Sequence, residues 1–160
     1  MNIRIATADD IRSLWSDNNL PTKNYFIKGV EEENIEFWTV EDEESKKLIG
    51  ELYIFWDSED KDEANGVNRA YLCAFRIEKD YQGRGLGSKL MKKVIKRIEE
   101  KGFNEITIGV DDNDEKLINM YNAWGFDTHI KTTTIDYHNV DDAGNPLKDD
   151  PYRIYLKKLK

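Results

Sequence analysis

Apolar positions along this chain recur in two periods, and the switches between them divide it into elements. Ile3 and Ile5 flank Arg4 in a short alternating strand, and behind the capping residues Thr7, Asp9 and Asp10 the side chains of Ile11, Leu14 and Trp15 share one helical face. Asn18, Asn19 and Pro21 read as breakers of that helix, with helical character resuming around Glu31, Glu32 and Glu33. Residues 37–40 and 48–56 read as two strands joined by a charged turn, and the polar, acidic stretch 57–68 as a solvated loop. Residues 70–77 form an apolar, aromatic-rich run of the kind found in buried strands. Leu86, Leu90, Met91, Val94, Ile95 and Ile98 then make a helical stripe that stops at Gly102. Residues 105–110 alternate again, Asp111 to Asp114 supply caps, and Leu117, Met120, Tyr121 and Trp124 follow at i, i+3, i+4, i+7. Two last strands, 128–137 and 152–159, are joined by acidic turn material around Asp141, Asp142 and Gly144. The succession predicts one α/β domain over residues 1–160, with helices flanking a mixed sheet.

Composition narrows the class. Apolar residues make up 39%, including four Trp, eight Tyr and six Phe, which suffices for one core. No apolar run approaches the roughly 20 residues of a membrane span, and the polar start does not read as a signal peptide. The single Cys73 excludes an internal disulfide framework and fits a reducing compartment, so a cytoplasmic location is expected. A net charge of −8 disfavours nucleic acid as a partner; it fits either plain solubility or the steering of a cationic substrate. The acids of 57–68 lack the ligand spacing of a calcium loop, so no metal is expected there.

One stretch carries chemistry: Gln82-Gly83-Arg84-Gly85-Leu86-Gly87, placed where a strand hands over to a helix. Main-chain N–H groups at a helix start are unpaired and the macrodipole is positive there, which suits a phosphate or pyrophosphate. Glycine lets an anion approach the backbone closely. The order Gly87-Ser88-Lys89 rules out a P-loop, and Ser88 stands where the dinucleotide fingerprint needs its third glycine.

The pattern Gln-x-x-Gly-x-Gly between strand and helix resembles the coenzyme loop of the GNAT family of N-acetyltransferases. The likeness extends to Asn119-Met120-Tyr121-Asn122-Ala123-Trp124-Gly125-Phe126, similar to that family's tyrosine followed by Gly-Phe, and to the opening Ile3-Arg4-Ile5-Ala6. The resemblance implies a GNAT-like fold with a mostly antiparallel sheet, acetyl-CoA as co-substrate and a primary amine as acceptor, with a homodimer as a family habit. It implies that the amides of Gly83, Arg84, Gly85, Leu86 and Gly87 hold the pyrophosphate, with Gln82 bracing the loop and Ser88, Lys89 and Asn113 nearby. The strand edge at Phe75 and Ile77 would pair with the pantetheine amides.

Tyr121 would donate to the leaving sulfur. A phenol pKa of about 10 against about 8.5 for a thiol makes complete transfer uphill by about 2 kcal/mol, so hydrogen bonding comes first. The acceptor needs a base, because an alkylamine of pKa about 10.4 loses its proton at neutral pH only at a cost of about 4–5 kcal/mol. Relatives often carry a carboxylate on the strand before the loop, but residues 70–77 hold none. Glu51, Glu78 and Asp111 are the candidates, Glu51 foremost because a neighbouring strand can turn it inward. Asp114 stands where the family often has asparagine, with Asn113 one place earlier. Cys73 as nucleophile has no histidine near it in sequence, which favours direct transfer. Three readings stay open: acetylation of a small amine, acetylation of a protein N-terminus or lysine, and a non-catalytic acyl-CoA sensor.

Overall fold

A computed structural model of the chain, describing residues 1–159, is built on one seven-stranded sheet. The elements are β1 (Asn2–Ile5), α1 (Ala8–Leu14), α2 (Leu20–Glu31), β2 (Ile35–Glu41), β3 (Leu48–Phe55), β4 (Arg69–Ile77), α3 (Leu86–Glu100), β5 (Glu105–Asp111), α4 (Glu115–Ala123), β6 (Thr128–Val140) and β7 (Pro146–Lys158). The strand order is β1-β2-β3-β4-β5-β7-β6, and every neighbouring pair is antiparallel except β4–β5. That parallel pair needs a crossover, which α3 supplies.

The sheet has a core on each face. Leu52 and Ile54 of β3 face the stripe of α3, where Leu90, Val94 and Ile98 are fully buried. Tyr53 and Phe55 of the same strand face the other way, onto Phe26 and Ile27 of α2 and Ile11 of α1. Burial on both faces explains why β3, Glu51 apart, carries no polar alternation.

Three stretches differ from expectation. The second helix is Leu20–Glu31 and ends where helix was expected to centre; Glu33 has left it, with φ of 64°. Pro21 starts this helix rather than breaking one, because the first turn needs no N–H, and the Asn19 side chain accepts from the Thr22 N–H as its cap. The stretch 57–68 is solvated only in part: Glu59, Lys61, Asp62, Gly66 and Val67 are exposed, but Ser58, Glu63 and Ala64 are buried, with Ser58 and Glu63 in a polar cluster with β5, β6 and β7. The last two strands run through most of the expected link, leaving only residues 141–145 as a turn held by the Asp141 carboxylate, which accepts from the Ala143 and Asn145 N–H groups. Pro151 is tolerated because it lies in a register slip, where Thr133 pairs with Tyr152 and Ile135 next pairs with Lys148.

Candidate active site

β4 is the strand that makes the site. Its pairing with β3 steps from Tyr53–Cys73 to Glu51–Arg76, two residues on β3 against three on β4, so β4 carries a bulge. Ala74 sits in it at φ of 56°, a left-handed conformation that costs a non-glycine residue of order 1–2 kcal/mol. On its other side β4 pairs with β5 only from Arg69–Glu105 to Leu72–Ile108. From Cys73 to Ile77 the β5-facing edge is therefore open, and main-chain groups are available to an extended ligand.

The open edge leads to the glycine loop. Gly83 and Gly85 adopt φ of 79° and 77°, and Gly85 forms the N-cap of α3. The amides of Gly83, Arg84, Gly85, Leu86 and Gly87 donate to no group among the described residues. A Cβ built on Gly87 would lie 3.1 Å from the Phe75 ring, so bareness there keeps the strand edge close to the helix. The Gln82 amide donates to the Ile77 carbonyl at 2.9 Å, tying the loop to the strand end. Arg84 is exposed, donates to the Asp80 carbonyl and lies over the Tyr81 ring. Lys89 is exposed, while Ser88, Lys92, Lys96, Glu99, Trp124 and Lys157 border a hollow of about 480 Å³ that runs along α3. Arg97 of the same helix is committed elsewhere, paired with Glu36 at 2.9 Å.

The second signature closes on the first. The Phe75 ring lies 6.4 Å from Tyr121 and 6.1 Å from Trp124, so the strand edge and α4 meet across the opening. Tyr121 is 2% exposed, yet its hydroxyl makes no hydrogen bond among the described residues. Burial, with a smaller contribution from Asp114, raises its pKa above the ordinary phenol value. Asp114 caps α4 by accepting the Leu117 N–H at 3.0 Å; Asn113 is exposed in the preceding turn.

The carboxylate candidates separate clearly. Glu51 does turn inward and is 6% exposed. Its Oε1 accepts from Trp15 Nε1 and the Tyr53 hydroxyl, and its Oε2 from the Arg76 guanidinium at 2.7 and 3.1 Å. Four donors leave no open position for a substrate proton, so the geometry gives Glu51 the job of fixing the bulge from the β3 side. Glu78 pairs with Lys47. Asp111 borders a cavity of about 230 Å³ where β4 and β5 part, together with Cys73, Gly109, Asp136, Asp149 and Tyr152.

Asp136, Asp149 and Tyr152 were not legible as site residues, because only the pairing of β5, β7 and β6 carries them to the opening. Behind them lies a buried polar cluster. Glu63, fully buried, accepts from the Ser58 hydroxyl at 2.9 Å and lies 2.8 Å from His138 Nε2, which therefore carries the hydrogen. The Tyr152 hydroxyl reaches the other Glu63 oxygen at 3.4 Å. Cys73 is half-buried, and burial pushes its thiol well above the usual range, which suits a bystander rather than a nucleophile.

A sheet opened at its one parallel pair, in front of a helix start with idle main-chain amides, is the kind of α/β architecture that can hold an extended anionic ligand. The chain belongs to the acetyltransferase (GNAT) family, whose model matches residues 4–126. It is 35% identical over 81 residues to a probable spermine N(1)-acetyltransferase of Bacillus subtilis subsp. natto (strain BEST195), a match covering 49% of this chain and 52% of that protein. It is 33% identical over 81 residues to the spermine/spermidine N(1)-acetyltransferase of Bacillus subtilis (strain 168), with the same coverage of 49% and 52%. The chain thus spans about half the length of the curated relatives it matches. Its fold is that of the ribosomal-protein-S18-alanine N-acetyltransferase of Escherichia coli, with a TM-score of 0.70 at 16% identity, covering 99% of this chain and 94% of that one. A GNAT acetyltransferase from Elizabethkingia anophelis, crystallised with acetyl-CoA bound, gives a TM-score of 0.65 at 15% identity, covering 99% and 97%. No helix among the described residues is long and apolar enough to cross a membrane.

Proposed function

We propose that the protein transfers the acetyl group of acetyl-CoA directly to the primary amine of a small alkylamine, with a polyamine-type acceptor as the finer reading. The observation that carries this is the open β4 edge running from the idle amides of the glycine loop to the acidic cavity between β4 and β5. The pyrophosphate would rest on the loop amides, Gly87 and Phe75 would flank the pantetheine, and the lysine-rimmed hollow on α3 suits the nucleotide end. The main-chain N–H groups around the Ala74 bulge supply donors for the thioester carbonyl. Tyr121, with an idle hydroxyl next to Phe75, would donate to the sulfur as it leaves.

The acceptor side supports a small cation. At about 230 Å³ the cavity falls below the roughly 300–1,000 Å³ of drug-sized sites, room for an alkyl arm rather than a peptide segment. Asp111, Asp136 and Asp149 give it negative charge. The spermine acetyltransferases among its relatives agree with that chemistry.

The test is thiol release from acetyl-CoA with a panel of monoamines, diamines, polyamines and N-terminal peptides. Release is expected with the di- and polyamines, and Tyr121→Phe should lower kcat by about 100-fold or more while acetyl-CoA affinity holds. Tight coenzyme binding with no release on any acceptor would instead identify a sensor.

A further inference from the structure

Resting on that reading, the geometry points to Asp136 of β6 as the base that takes the proton from the acceptor ammonium. Three carboxylates border the cavity between β4 and β5, and they differ in setting. Asp111 and Asp149 are exposed, whereas Asp136 is half-buried. Its Oδ1 accepts the His138 main-chain N–H at 2.9 Å, which fixes the side chain, while Oδ2 has no partner among the described residues. Unlike Glu51, it forms no ion pair among those residues, so one oxygen remains open to a substrate.

Its surroundings favour that role. Asp136 is faced by Tyr25 from α2, Glu63 from the preceding loop, Tyr71 and Cys73 from β4, Asp111 from β5, its own neighbour His138, and Asp149 and Tyr152 from β7. Apart from the imidazole, the ionisable groups among them are acids, and among the described residues no lysine or arginine is within pairing distance of Asp136. Burial first, then Glu63 and Asp149, raise its proton affinity above that of an ordinary aspartate against the opposing pull of His138. An alkylamine of pKa about 10.4 is neutral in only about 1 molecule in 2,500 at pH 7, so a base of this kind is what the acceptor lacks.

The step balances as follows. The ammonium gives one proton to Asp136 Oδ2, and the freed lone pair forms the C–N bond at the thioester carbonyl. Collapse of the tetrahedral intermediate breaks the C–S bond. The sulfur takes a proton from Tyr121, the second nitrogen proton restores the phenol, and Asp136 releases its own proton to water.

The experiment compares wild type, Asp136→Asn, Asp136→Glu, Asp111→Asn and Asp149→Asn in pH profiles of kcat/KM. Two acceptors are used: an alkyldiamine, and an O-alkyl hydroxylamine that is already neutral at pH 7. Asp136→Asn should lose at least about 100-fold on the diamine at pH 7, lose the acid limb and recover towards high pH. It should change little on the hydroxylamine or in acetyl-CoA affinity, and Asp136→Glu should restore part of the rate. Asp111→Asn and Asp149→Asn should raise KM for the diamine and keep the limb. An Asp136→Asn enzyme with the wild-type profile, or an equal loss on both acceptors, would overturn the assignment and leave the transferase standing. Absence of release by the wild type on every amine would overturn both.

Discussion

Gly83, Gly85 and Gly87 are bare for different reasons. Gly83 and Gly85 have open space where a Cβ would stand and need glycine for their positive φ; Gly87 has ordinary helical geometry and needs it for closeness to Phe75. The two requirements separate in experiment. Gly85→Val should lower stability by about 1–3 kcal/mol in chemical denaturation and abolish acetyl-CoA binding in calorimetry, because a β-branched residue is forced left-handed at the cradle. Substituting Gly87 should instead push the Phe75 ring towards Tyr121 and perturb the thioester end. At this scale the placement of the glycines, Gln82 and Tyr121 around one opening was legible because it follows from residue type and spacing. Glu51 was legible as an inward carboxylate, but its occupation by Trp15, Tyr53 and Arg76 was not, since those partners come from α1, β3 and β4.

At the scale of elements, periodicity located most strands and helices; it missed the span of α2 and the length of the last two strands, and it failed where burial is polar. The stretch 57–68 reads as solvent-facing because Ser58, Asp60, Asp62 and Glu63 are hydrophilic. Yet Glu63 is an anchor that gathers Ser58, His138 and Tyr152, and its carbonyl accepts the Thr107 hydroxyl at 2.6 Å. Glu63→Ala would leave the Ser58 hydroxyl and His138 Nε2 buried without that acceptor, each costing about 1–3 kcal/mol, while Tyr152 keeps the Ile135 carbonyl, so a loss of about 2 kcal/mol or more is expected in urea unfolding. Glu63→Gln, which still accepts, should lose clearly less. Because this cluster backs the cavity wall at Tyr152, the Ala variant should also weaken acceptor binding while acetyl-CoA affinity stays, readable as a change in amine KM.

For the whole molecule, the decisive fact is that the sheet has one parallel pair and opens there. Three acidic side chains of this net-negative molecule, Asp111, Asp136 and Asp149, border that opening. Steering of a polycation should then be salt-dependent: raising ionic strength from about 0.01 M to about 1 M shortens the Debye length from about 30 Å to about 3 Å and should lower kcat/KM several-fold for a polyamine. A monoamine should be affected less. Stopped-flow or steady-state measurements at graded salt check this, and equal sensitivity of both acceptors would mean that the cavity charge plays no part in capture.

The sequence by itself determined three of the four helices, most strands and the glycine turn at the start of α3, because each depends on residues close together in the chain and on one backbone conformation. Tertiary structure alone decided which carboxylate is left free. Asp136 reaches the opening only through the order β5-β7-β6, and Glu51 is saturated only because α1 and β4 fold against it. Proton affinity and availability depend on burial and on neighbours distant in sequence, and those come into being when the sheet closes.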